Sequence, residues 1–238
     1  MSRPVRTLVA AIVLAALIVT GVAIVVPLVA KPIIVAAVQS ESPFGDQHLD
    51  IDVDCNVFGL LRGSIDRIHV HGTSLEHGNV TIGAIDVTLT GVATSGHDFR
   101  NATGTIAVAQ IPLDALTGVA VDQITLDGPA SALTAAATLS HASTVRVIEA
   151  AFADSGVDVS GVDLGNGTVV FHVFGTRAEV PIGVANGAIV IVDPFGQGDF
   201  EIVTPGQNDG WRFTGVGVTA AGMTINASLD VEKLLASS

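Results

Sequence analysis

From residue 48 onward the chain alternates. In Leu49-Asp50-Ile51-Asp52-Val53-Asp54-Cys55 the odd positions are apolar or small and the even positions are carboxylates. Successive side chains of an extended strand point to opposite faces, so this run is apolar on one face and charged on the other, as a half-buried antiparallel strand requires. The same period of two recurs at 65–70, 80–89, 105–108, 168–173, 189–192 and 223–229. Turn formers stand between these runs: Gly72-Thr73-Ser74, His77-Gly78-Asn79, Gly165-Asn166-Gly167, Asn186-Gly187 and Gln207-Asn208-Asp209-Gly210. The Gly-Asn-Gly and Asn-Gly pairs fall directly between strand patterns and predict tight hairpins.

Two segments break the alternation. Pro112-Leu113-Asp114-Ala115-Leu116 predicts a short helix, with proline near its start and Gly118 near its end. Residues 143–153 predict a second, capped by Ser143 or Thr144, in which Val145, Ile148, Ala151 and Phe152 form one apolar stripe. Strand-like chain follows each, at 121–126 and 157–162, which gives a loose pseudo-repeat of strands, helix and strands. The expected fold is therefore mainly β (α+β): a strongly curved antiparallel sheet or an elongated barrel, with about two short helices at an end or in its mouth. Such a shape can enclose an apolar cavity.

Residues 8–30 contain no charge, and at about 1.5 Å per residue a helix of that length spans about 34 Å, enough to cross a bilayer. Arg3 and Arg6 precede it and Lys31 follows. Positive charge favours the cytoplasmic side, so the expectation is a transmembrane helix with the rest of the chain on the extracytoplasmic, periplasmic side. A signal peptide is the alternative: Gly21-Val22-Ala23 is a weak cleavage site, and a cleaved chain would be secreted. The chain divides accordingly into 1–38, a cytoplasmic stub with the anchor or signal segment, and 39–238, a body long enough for one large β domain.

Past Lys31 only seven basic residues face all 23 acidic ones, and the whole chain carries a net charge of −13. A surface so negative repels phosphate backbones, which argues against nucleic acid as a partner. Cys55 is the only cysteine, so no intrachain disulfide or Cys-x-x-Cys metal or redox motif exists.

Motifs for chemistry are few. Asp50, Asp52 and Asp54 invite calcium, but Cys55 and Leu61 stand where a calcium loop of the helix-loop-helix type needs Gly and Glu, and the carboxylates read as a solvated strand face. His69 and His71 share a face yet lack the third ligand that zinc needs. No Gly-x-Ser-x-Gly elbow, Ser-x-x-Lys or Cys-His signature and no phosphate-binding glycine loop occurs. Neither an enzyme, nor a resident metal, nor a cofactor is expected. Four glycosylation sequons, at Asn79, Asn101, Asn166 and Asn226, read as turn and strand chemistry.

Residues 53–92 carry a distinctive series: Phe58-Gly59-Leu60-Leu61-Arg62-Gly63, then Ile65-Asp66-Arg67-Ile68-His69-Val70, then Ile85-Asp86-Val87-Thr88-Leu89-Thr90-Gly91-Val92. Together with Val180-Pro181-Ile182-Gly183 and the strand that follows up to Pro194, this resembles the LmeA-like phospholipid-binding family of actinobacterial cell envelopes, over roughly residues 35–235. The resemblance implies an elongated β-barrel-like fold, related to the tubular lipid-binding proteins. It implies a phospholipid or phosphoinositide-type lipid as partner, a role in envelope lipid homeostasis, and no catalytic residues. Phe58, Leu60 and Leu61 match the family's motif and are expected near a cavity entrance, while Leu113, Leu116 and Phe152 from the two expected helices complete the candidate lipid-binding set. The chain departs from the family in its scarcity of aromatic residues and of Lys and Arg, which leaves few groups to pair with an anionic headgroup. The rival expectation is a non-catalytic structural or protein-interaction β domain of the cell envelope.

Overall fold

The structure, a computed structural model, describes residues 49–77, 80–94, 98–113, 116–154, 161–173, 176–192, 199–205 and 210–236. The hydrophobic segment at 8–30 lies outside them, as do the turn residues 78–79 and 207–209. Among the described residues no helix is long and apolar enough to cross a membrane.

Two antiparallel sheets organise the described chain. The larger has eight strands: β1 (Leu49–Asp54), β2 (Ser64–His77), β3 (Val80–Ala93), β4 (Asn101–Leu113), β5 (Leu116–Gly128), β6 (Leu133–Ser140), β12 (Trp211–Thr219) and β13 (Gly222–Leu229). Their order is β1-β2-β3-β4-β5-β6-β13-β12, a meander that the last hairpin joins at β6. The smaller is a second meander of β7 (Val162–Leu164), β8 (Thr168–Val173), β9 (Thr176–Ala185), β10 (Ala188–Ile191) and β11 (Phe200–Val203). Three helices accompany them: α1 (Val57–Leu61), α2 (His141–Asp154) and α3 (Val231–Ala236), with a single 3-10 turn at Ala130–Ala132.

Alternation delivers what it predicts at β1, where Leu49, Ile51 and Val53 are buried and Asp50, Asp52 and Asp54 exposed. The same division runs across the large sheet. Ile68, Ile85, Leu89, Leu133, Ile225 and Leu229 all have 0% exposure, and each such side chain contributes roughly 1.5–3 kcal/mol by leaving water. On the opposite face the register sets Asp50 opposite His71, His71 opposite Asp86 and Asp86 opposite Thr105, a polar row that water can solvate. The Asn-Gly hairpin is confirmed in detail: Asn186 and Gly187 have φ of 54° and 80°, the doubly left-handed backbone of a two-residue turn between paired Ala185 and Ala188.

The expected barrel is not formed, and both sheets stay open. Closure of the large sheet would require β1 to pair with β12. Instead the outer edge of β12 is taken by turns of the small sheet: Phe213 N donates to Gly187 O at 3.1 Å, and Gly167 N donates to Val218 O at 2.8 Å. Helix α2 packs on β5, β6 and β13 and also on β7 and β11, so it lies between the two sheets.

Three local expectations are corrected. Gly72-Thr73-Ser74 is not a turn but continues β2, because Gly72, Thr73 and Leu75 keep an unbroken register with Ile85, Ala84 and Ile82. The helix expected at 112–116 is not formed by its described residues: Pro112 and Leu113 end β4, Leu116 begins β5, and Leu113 pairs with Leu116, while Asp114 and Ala115 lie outside the described residues. Pro112 falls at a register shift, where a missing N–H leaves no regular ladder bond unmade. The helix expected at 143–153 is present as α2 but starts earlier, because Ser140 is its cap, its Oγ accepting from Ser143 N at 3.3 Å.

Candidate functional site

Apolar side chains that the core leaves incompletely covered mark where a ligand could add burial. Val145 and Phe152 on α2, Val180 and Val184 on β9, Phe200 on β11 and Val216 on β12 are only partly buried, though each packs against the core. Val145 and Phe152 are seven residues apart, two turns on one helix face. Phe152 stacks on Phe200 with ring centroids 5.1 Å apart and meets Phe171 of β8 edge-on at 4.7 Å. Three aromatic rings therefore join α2 to the small sheet. This seam is chemically apolar and suited to a hydrocarbon chain.

A second feature is polar. At the end of the large sheet where α3 docks, Ser131, Gly210, Trp211, Arg212, Ser228, Asp230 and Lys233 line an open pocket of about 220 Å³. The register explains the gathering, since Trp211 pairs with Leu229, Arg212 with Ser228 and Ser228 with Thr134. Asp230 caps α3, its Oδ1 accepting from Lys233 N at 3.1 Å, and Lys233 Nζ lies 3.1 Å from Asp230 Oδ2. Burial works to raise the Asp230 pKa, but the backbone and side-chain bonds from Lys233 outweigh it and hold the carboxyl below its usual range. Arg212 has no ion-pair partner among the described residues. The pocket thus sets two cations against one carboxylate, a local excess of positive charge in an acidic chain, and it can hold a small anion such as a phosphate group.

The six residues that the sequence singled out do not meet in one place. Leu60 packs against the core, whereas its neighbours Phe58 and Leu61 are exposed at 75% and 78%. All three belong to α1, where β1 ends and β2 begins. Leu113 and Leu116 lie at the other end of the sheet, twelve residues along β4 from its start, a span of about 40 Å. Phe152 alone falls in the aromatic seam.

Sequence reasoning missed the partners of that ring, Phe171 and Phe200, because a single phenylalanine in a strand carries no periodic signal. It also missed α1 and α3. Both have legible caps: Asn56 Oδ1 accepts from Gly59 N at 2.6 Å and Gly63 follows with φ of 74°, and Asp230 opens α3.

Three histidines find carboxylates, while His141 Nδ1 lies 2.9 Å from the carbonyl oxygen of Ala220. Asp86 faces both His69, at 3.1 Å, and His71, at 3.7 Å, while His172 lies 3.1 Å from Asp163. No group of three or more candidate metal ligands occurs among the described residues. Comparison of the chain with protein-family models, with curated proteins and with solved structures found no match.

Proposed function

We propose that the chain is a non-enzymatic, membrane-tethered extracytoplasmic protein that binds phospholipid or a related lipid and supports cell-envelope lipid homeostasis, as the resemblance to the LmeA-like family implies. The observation that carries this reading is the aromatic seam, where Phe152, Phe171 and Phe200 join α2 to the small sheet and partly buried apolar groups remain to be covered. Acyl chains inserted there gain about 0.8 kcal/mol per buried methylene. The Arg212 and Lys233 pocket supplies charge for a phosphate headgroup. Lipid extraction and native mass spectrometry of the purified full chain test it: co-purifying phospholipid that decreases in a Phe152→Asp variant is the expected result. A chain that is consistently empty and takes up no labelled lipid sinks the reading.

A second reading, a structural or protein-interaction domain, is favoured by the core of the large sheet. The wall of an empty tunnel keeps surface open to a water-sized sphere, yet Ile65, Ile68, Ile85, Leu89 and Val92 keep none. On the lipid reading these residues form the scaffold, and the ligand occupies the seam.

A further inference from the structure

Helix α1 presents an apolar pair to solvent and holds it rigidly. Phe58 and Leu61 are exposed at 75% and 78%, and their spacing of three places them on the same face of a helical turn. Leu60 points the other way and packs against the core. The turn is fixed on every side: Asn56 caps it, Asn56 Nδ2 donates to Asp66 Oδ2 at 2.7 Å, and Thr94 N donates to Gly63 O at 2.8 Å. Ordering two large side chains in water gains nothing for the fold.

From this we infer that α1 is a docking tip that inserts Phe58 and Leu61 into the interfacial layer of a zwitterionic lipid bilayer. The inference deepens the proposed function and rests on its membrane-tethered reading. Two apolar side chains exposed on one face of a single helical turn can enter between lipid headgroups. Charge around the tip is balanced. Arg67 Nε donates to Asp54 Oδ2 at 2.9 Å, Asp66 is bonded to Asn56, and Arg62, which ends the helix, adds a second cation to match the two carboxylates. This mixture suits a zwitterionic headgroup, whereas the net charge of −13 opposes a strongly anionic surface. Reach is sufficient: residues 31–48, between the uncharged segment and β1, extend at most about 60 Å, against about 17 Å for the length of β1.

Depth-dependent quenching in the full chain tests this. Cys55→Ala removes the native thiol, and Phe58→Cys, Leu61→Cys or the control Thr138→Cys on the exposed face of β6 then takes a nitrobenzoxadiazole label. The labelled chains are reconstituted into phosphatidylcholine vesicles containing spin-labelled phosphatidylcholine. Labels at 58 and 61 should shift to the blue and be quenched by the spin-labelled lipid several-fold more than the label at 138, which should instead be quenched by aqueous iodide. A chain that floats with the vesicles but leaves 58 and 61 as open to iodide as 138 overturns the docking tip alone. Shielding from iodide without quenching by lipid also overturns it, because protein then covers the pair. Failure to float removes the tethered reading and the tip with it, while insertion only into phosphatidylglycerol vesicles overturns the zwitterionic assignment. Lipid extracted from the same preparations reports the cargo separately, so an empty chain with an inserted tip refutes the cargo and keeps the tip.

Discussion

Truncation of Phe152 to alanine removes one ring from two aromatic contacts at once, the stack on Phe200 at 5.1 Å and the edge contact with Phe171 at 4.7 Å. Each such pair is worth about 0.5–1.5 kcal/mol beyond the area it buries. A fully buried Phe→Ala change costs about 3–5 kcal/mol, and because Phe152 is only partly buried the lower end applies, about 3 kcal/mol. For a body of this size 1 kcal/mol moves the melting temperature by about 2–4 °C, so the expected fall is about 6–12 °C. Circular dichroism of the detergent-solubilised full chain during heating reads it directly. Phe152→Leu keeps apolar bulk but loses the ring, and should recover roughly half of the fall. A Phe152→Ala shift under about 2 °C would refute the claim that this ring holds α2 to the small sheet, and equal losses for Leu and Ala would assign the effect to ring geometry alone.

Gly104→Ala should destabilise by about 3 kcal/mol in denaturant titration, because the added Cβ would lie 2.4 Å from Asp86 O and 2.6 Å from Val87 Cα, backbone atoms that cannot swing aside. Gly187→Ala forces a side chain into φ of 80° and should cost about 1–2 kcal/mol in the same assay, with no change in the slope against denaturant. Asp230, whose folded pKa is lowered, contributes stability above its unfolded value of 3.8 and loses it as pH falls through the folded pKa. The native chain should therefore exceed Asp230→Asn in stability at about pH 7 and converge with it near about pH 2; a gap that persists in acid would show that charge is not its source. Phe58→Ser with Leu61→Ser should leave the stability within about 0.5 kcal/mol of native, a melting-temperature shift of no more than about 2 °C, since both side chains are already exposed.

Much of the fold is written in local pattern. Period-two runs mark β1 and β13 nearly to their ends, since each buries one face against the core and solvates the other, whereas β8 and β10 are apolar runs that bury consecutive residues, Val169 to Phe171 and all of Ala188 to Ile191. Strand β6 escaped because Ala135, Ala136 and Ala137 are all apolar and blur the alternation, although the structure buries 135 and 137 more than 136. Its pairing with β13, more than eighty residues away, has no local signature at all. The helix expected at 112–116 shows the same limit in reverse, because proline and leucine spacing favours a turn of helix while the pairing of β4 with β5 decides the outcome. At the candidate site Phe152 was legible from the stripe of α2. Its aromatic partners come from two different strands and met only through tertiary packing.

The arrangement of strand lengths bears on how such a chain survives at high concentration. Strands β2 to β5 run 13 or 14 residues and all lie inside the large sheet, whereas the outermost strands β1, β7 and β11 have six, three and four, and the nine-residue β12 has its outer edge bonded to turns of the small sheet. Long, flat, hydrophobic edges are templates on which another molecule adds its own strand, and short edges deny that template. On β1 the carboxylates of Asp50, Asp52 and Asp54 add repulsion between like copies. A sequence rich in β-forming apolar residues thus keeps its most adhesive segments enclosed, and the architecture acts as a guard against runaway sheet growth.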